Sequence, residues 1–202
     1  MSNERIREVF IEWNKGRQNA YLLDIAIQIL DKVDDRTGNK LVDMILDKAG
    51  QKGTGKWTCM DGLDIGAAIP SICESVAARN LSALKEERVA ASKILTVNPH
   101  EEVDEQELID CLEKALYSAR TICYAQGFYL LREASKVHNW SLKYADIAGL
   151  WQAGCIIRAE LLKKITNAFK KNNDVVNLML EDGIRDFIVA DNEENVLIKL
   201  QK

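Results

Sequence analysis

A chain of 202 residues, 47% hydrophobic and 29% charged, has the composition of a globular protein with one sizeable core. Its net charge of -4 gives no field that would draw it to nucleic acid or to an anionic membrane surface, and no apolar run approaches the roughly 18 residues of a membrane span. Five cysteines, Cys59, Cys73, Cys111, Cys123 and Cys155, are odd in number and widely spaced, which argues against a disulfide framework and against a zinc site. They read as reduced core thiols, and with no signal-peptide pattern at the N-terminus the chain reads as cytoplasmic.

Two prolines, Pro70 and Pro99, and a scarcity of alternating β-branched runs make the expected class all-α, with residues 1–202 as a single all-helical domain. Ile6, Val9, Phe10 and Trp13 predict a helix over 3–15 that Gly16 ends, and a second helix follows over 19–33. Residues 34–39 form a turn around Gly38, and a short helix over 40–48 leads into Lys52, Gly53, Thr54, Gly55 and Lys56. The two glycines allow a tight turn that aims backbone N–H groups at one point, beside two ammonium groups and a hydroxyl. That is anion chemistry, and a helix from Trp57 to about Ile65 would add the positive end of its dipole. The pattern is not a P-loop, which needs four residues between its glycines and Lys-Ser/Thr directly after them. Its plain competitor is a surface turn with solvated lysines.

Gly66 breaks the pattern, and Pro70, at a first-turn position, opens a long helix through Arg79 toward Leu95 that Asn98 and Pro99 stop. The acidic run 101–107 suits a helix N-terminus. Leu108, Leu112, Ala115, Ala119, Ile122, Gln126 and Leu130 then mark one face of the longest helix, to about Val137. Gly127 costs that helix about 1 kcal/mol and is read as the close approach of another helix. Helices over 142–150, 154–171 and 175–188 complete the set, with a polar tail from Asp191 expected to fray. His100 and His138 lie far apart without Cys/His ligand spacing and read as neither metal ligands nor catalytic residues.

The string Asp47, Gly50, Gln51, Lys52, Gly53, Thr54, Gly55 and Trp57 resembles the signature of 6-phosphogluconate dehydrogenase, the decarboxylating enzyme of the pentose phosphate pathway. Further matches keep the family's order: Glu12-Trp13-Asn14-Lys15-Gly16, Ala78-Arg79-Asn80-Leu81-Ser82 with Lys85-Glu86-Glu87-Arg88, Tyr124-Ala125-Gln126-Gly127-Phe128 with Leu130-Leu131-Arg132, and Gly154-Cys155-Ile156-Ile157-Arg158. The resemblance implies the central part of the family's C-terminal all-helical domain. It implies that Lys52 and Thr54 hold the substrate phosphate by charge and hydroxyl, and that Arg79 clamps the same substrate with a planar guanidinium suited to two oxygens. Lys56 reads equally as a solvated charge or as a ligand, Trp57 as packing the loop against the core, and Arg158 with Ile156 and Ile157 as packing near the family's active site.

The resemblance further implies what lies elsewhere in the family's enzyme. NADP belongs to a dinucleotide-binding domain with a Gly-x-Gly-x-x-Gly-type loop, which has no counterpart here, so no cofactor is expected to bind this chain alone. The Lys and Glu acid/base pair would fall before Met1, so no catalytic residue is expected here. The Arg and His that reach into the partner subunit have no counterpart after Asp191. Two segments depart from the family pattern, Arg17-Gln18-Asn19-Ala20 and Gln152-Ala153. The expectation is a domain that grips 6-phosphogluconate or another sugar phosphate and forms a homodimer, as a truncated product or as one half of a split enzyme completed by a separately encoded dinucleotide-binding domain. The competing expectation is a non-catalytic sugar-phosphate-binding or self-association module.

Overall fold

The computed structural model describes residues 1–95 and 104–193. The described residues form ten α-helices and a short 3-10 turn, with two isolated bridges and no named strand. His100, Asn98, Pro99, the start of the acidic run and the tail beyond Glu193 lie outside them. Contacts divide the chain into two compact units.

The first unit comprises Met1–Ile45, Ile109–Thr121 and the chain from Leu142 on. It opens with α1 (Asn3–Asn14), whose first turn is closed by Ser2 Oγ accepting from the Arg5 N–H at 3.2 Å, and α2 (Tyr21–Asp31), packed on α1. The predicted turn at Gly38 forms, with φ +73°, and Asp34 accepts from the backbone and hydroxyl of Thr37. α3 (Leu41–Met44) is shorter than the predicted 40–48, because Ile45 turns extended. The core lies on α8 (Tyr144–Leu150) and α9 (Leu161–Lys171). In α9 Leu161, Leu162, Ile165, Ala168 and Phe169 are buried while Lys163, Lys170 and Lys171 stay outside. Each fully buried Leu or Ile contributes about 1.5–3 kcal/mol. The Phe169 and Tyr144 rings meet at 5.4 Å between centroids.

The predicted start of this helix at Gly154 is corrected by seven residues. Tyr21 N donates to Arg158 O at 3.1 Å and Glu160 N to Asn19 O at 2.9 Å, so a bridge between Ala159 and Ala20 at the α1–α2 junction delays the helix to Leu161. The predicted helix over 175–188 is also corrected. Asn177 caps the 3-10 turn Leu178–Leu180, Gly183 takes φ +73°, and α10 spans Arg185–Glu193.

The second unit comprises Leu46–Leu108 and Ile122–Ser141. Its α4 (Thr54–Ile65) ends at Gly66 with φ +77°, and α5 (Pro70–Ala83) follows after a four-residue connection, as an antiparallel helical hairpin. The predicted continuous helix from Pro70 toward Leu95 is broken at Leu84, where ψ is 50°, and resumes as α6 (Lys85–Ser92). The break leaves the Ser82 carbonyl to accept from Arg88 Nη2 at 3.1 Å.

The longest helix, α7 (Glu105–His138), runs 34 residues as predicted and supplies residues to both units. Asp104 caps it through the Glu107 N–H at 2.8 Å, and Asn139 ends it at φ +54°. The buried face differs from the expected one. Ile109, Cys111, Tyr117, Thr121, Phe128, Ala134 and Ser135 are buried, whereas Leu112 and Leu116 are 39% and 40% exposed. Gln126, placed on the apolar face by its spacing, instead accepts from the Ile72 N–H at 3.2 Å and donates to Ser71 Oγ at 3.0 Å, capping the first turn of α5. A Cβ added at Gly127 would meet nothing within 4 Å, so close helix packing does not explain this glycine.

Candidate functional site

The loop between α3 and α4 is tied down by arginines at its base. Arg88 donates to Asp47 Oδ2 at 3.1 Å and to Asp47 O at 2.8 Å, and Lys85 stands 3.6 Å from the same carboxylate. The hydrogen bond from Arg88, then its charge and that of Lys85, holds the Asp47 carboxyl below its ordinary range. Ala49 N donates to Ser82 Oγ at 3.0 Å, and Gln51 Nε2 donates to Asn80 Oδ1 at 2.6 Å. Arg79 donates from Nε to Gly50 O at 2.7 Å and also from Nη2 to the same oxygen. Residues 47–51 are thus pinned to α5 and α6 at four successive points.

Gly53 is the turning point. Its φ of +105° is open only to glycine at low cost, and it serves as the N-cap of α4 with no side-chain hydrogen bond closing the helix end. The first turn of α4 begins with Thr54, so Gly55 and Lys56 are helical rather than part of the turn, a correction of three residues to the predicted start at Trp57. Gly55 has a packing role: a Cβ there would lie 2.8 Å from Val76 Cγ2. Trp57 is 60% exposed, so it does not pack the loop against the core; its ring lies beside Gly53, 3.5 Å from where a Cβ would be.

Lys52 and Thr54 flank Gly53 and are both exposed at the α4 N-terminus. Arg79 is exposed on α5 and engages the loop through Gly50. An ammonium, a hydroxyl, a guanidinium and the uncapped helix N–H groups therefore come from one short segment and the helix beside it, an arrangement that can receive a phosphate-sized anion. Spacing alone points to Lys52 and Thr54; it gives no signal for Gln51, Asn80, Ser82 and Arg88, whose partners are long-range.

The other singled-out segments have structural occupations. Arg158 lies 3.4 Å over the Tyr21 ring and donates to Cys155 O at 2.9 Å, as the packing reading requires, beside a cavity of about 300 Å³ lined also by Asp24, Gln152 and Lys163. Ile156 is 61% exposed and Ile157 is exposed as well, and neither is helical, contrary to their expected burial. Gln18, in the first departing segment, is fully buried: it donates to Glu113 O at 2.5 Å and accepts from Arg120 at 2.5 Å. Arg17 pairs with Glu113 and stacks on Tyr117. Gln152, in the second, donates to Thr166 Oγ1 at 2.6 Å. His138 stacks on Trp140 at 4.8 Å. All five cysteines are free, but of the expected core thiols Cys111 alone is buried and the other four are partly exposed; among the described residues no cluster of His, Cys, Asp and Glu could hold a metal ion. No described helix is long and apolar enough to cross a membrane.

Fold and loop together define an all-helical domain whose α4 begins at a glycine turn flanked by Lys52 and Thr54. The family model described as 6-phosphogluconate dehydrogenase, C-terminal domain, matches residues 1–197, and the chain belongs to that family. It is 47% identical over 191 residues to the NADP(+)-dependent, decarboxylating 6-phosphogluconate dehydrogenase of Bacillus subtilis (strain 168), covering 93% of this chain and 40% of that protein. It is 45% identical over 198 residues to the decarboxylating enzyme of Escherichia coli (strain K12), covering 98% and 42%. The 6-phosphogluconate dehydrogenase of Plasmodium falciparum, solved in its apo form, with its cofactor NADP+ and with its substrate 6-phosphogluconate, superposes with a TM-score of 0.89 at 39% identity over all of this chain and 44% of that one. The chain spans about two fifths of the length of these relatives.

Proposed function

We propose that this chain is the substrate-gripping and dimerising part of an NADP-dependent 6-phosphogluconate dehydrogenase, the cytoplasmic enzyme that oxidises and decarboxylates 6-phosphogluconate to ribulose 5-phosphate. The observation that carries the reading is the pinned loop before α4. Lys52 supplies charge, Thr54 a hydroxyl and α4 its first N–H groups to the substrate phosphate, and Arg79 holds the loop through Gly50 and adds its guanidinium to the grip. The two compact units work as one all-helical domain. Partly exposed Leu112 and Leu116 on α7 give a second copy apolar surface to cover.

The described residues do not fit NADP, since no strand among them leads into a glycine-rich turn, and no hydride or proton step is assigned to them. A dinucleotide-binding domain, in the same polypeptide or separately encoded, supplies that chemistry.

The test is titration of the chain with 6-phosphogluconate, followed by NMR. Millimolar binding is expected, with amide shifts between Gln51 and Thr58, and each of Lys52→Ala, Thr54→Val and Arg79→Ala should weaken it by about ten-fold or more, the loss of one charge-assisted hydrogen bond. If no amide in that segment moves, the grip assigned to the loop is wrong. Light scattering checks the second half: a dimeric mass is expected, and a monomer at tens of micromolar refutes the dimerising role. The isolated chain should form no NADPH from substrate and NADP.

A further inference from the structure

α4 and α5 meet along a seam of small residues. Gly55 lies against Val76 and Gly62 against Ile69, where added Cβ atoms would come within 2.8 Å and 2.5 Å of those side chains. The two contacts fix the register of an antiparallel pair: as the chain advances seven residues along α4 it retreats seven along α5. Cys59 lies four residues after Gly55 and Cys73 four after Ile69, so both fall between the two contacts, on the same stripes and opposite each other. Besides burial, the Cys73 thiol is near enough to act on the Cys59 thiol and raise its pKa. Glycine at two of the crossing points brings the helix axes closer than ordinary side chains permit, which favours the short Cβ separation of about 3.5–4.5 Å that a disulfide needs. Both cysteines are partly exposed, so a small oxidant has access.

We infer that Cys59 and Cys73 form a redox-responsive dithiol that oxidises to a disulfide stapling α4 to α5, the two helices that carry Thr54 and Arg79. With hydrogen peroxide as oxidant, one thiolate attacks a peroxide oxygen: an S–O bond forms, the O–O bond breaks and the departing hydroxide leaves as water. The second thiolate then attacks the sulfenic sulfur, the S–S bond forms, the S–O bond breaks and a second water leaves. Two electrons pass from the sulfurs to the peroxide and both thiol protons end in water. Burial and the neighbouring thiol push the Cys59 thiol above its ordinary value, so the staple closes slowly at neutral pH and faster in alkali.

The experiment treats the full chain, purified in reductant, with hydrogen peroxide, followed by alkylation under denaturing conditions and trypsin. Residues 57–79 contain no internal Lys or Arg, so one peptide holds both cysteines. After oxidation this peptide is expected unalkylated and about 2 Da lighter than the dithiol form, reverting on reduction. The melting midpoint should rise by several degrees and fall back with reductant. Cys59→Ser and Cys73→Ser should each abolish the rise, and as small, near-isosteric changes they leave the reduced protein's melt close to that of the parent. Recovery of the wild-type peptide with both thiols alkylated after oxidation, or with either thiol joined to another cysteine, overturns the inference without recourse to any variant.

Discussion

Gly62→Ala puts the α4–α5 seam to a quantitative test. The added Cβ would stand 2.5 Å from Ile69 Cδ1 and 2.9 Å from Ile69 Cγ1, and Ile69 is only 3% exposed, so its side chain has little room to retreat. Overpacking of this kind costs about 1–3 kcal/mol, against about 1 kcal/mol gained by replacing a mid-helix glycine with alanine. The net expectation is a loss of up to about 2 kcal/mol, which for a chain of this length lowers the melting midpoint by up to about 8 °C. Ile69→Val removes the Cδ1 atom and alone costs about 0.5–1.5 kcal/mol. Combined with Gly62→Ala it should recover part of the clash, giving a favourable coupling of at least about 0.5 kcal/mol in a double-mutant cycle. Thermal unfolding by circular dichroism, with amide exchange in α4 and α5 as the local readout, measures both quantities. A Gly62→Ala protein more stable than its parent, or a strictly additive double mutant, would refute the claim that this glycine is held by close packing.

Gly53→Ala forces a side chain into φ +105° and beside the Trp57 ring; it should cost about 1–3 kcal/mol and weaken 6-phosphogluconate binding more than the loss in stability alone explains, measured by calorimetry at a temperature where the variant is folded. Arg17→Met leaves Glu113, about four-fifths buried, without its guanidinium and should destabilise the first unit by about 3 kcal/mol in urea titration. Asp47 has its folded-state pKa lowered, first by the Arg88 hydrogen bond, so its contribution is fully present above the unfolded carboxylate pKa and disappears as pH falls through the lower folded value. NMR shifts of residues 47–51 should therefore change in acid below the usual Asp range, and Asp47→Asn should abolish that acid response.

The sequence shows long, strongly periodic elements and local chemistry well, and long-range polar bonds hardly at all. α7 was legible because 34 residues carry helical signals without a proline, and the turn at Gly53 because glycines beside polar residues mark one, as its φ of +105° bears out. The break at Leu84 was hidden, since nothing in Leu-Lys-Glu-Glu-Arg disfavours helix; it exists because the Arg88 side chain reaches Asp47, 41 residues away. The delayed start of α9 has the same origin in a backbone bridge to Asn19. On α7 the apolar stripe was read from a face that includes Gln126, whose amide caps another helix, while the buried face carries Tyr117, Thr121 and Ser135, whose polar atoms mask it in a hydropathy pattern.

The interleaving of the two compact units along the chain governs how the protein can be made or cut. Neither unit is a single stretch: the first draws on three separate segments and the second on two, with α7 contributing to each. A ribosome that has released Met1–Ile45 cannot complete the first unit until Leu142 and the residues after it have emerged, so the early helices wait on the last. The most buried side chains of that unit, Leu161, Leu162 and Ile165, arrive late, and final stability arrives with them. No one cleavage yields either unit intact, and a nick within α7 withdraws residues from both.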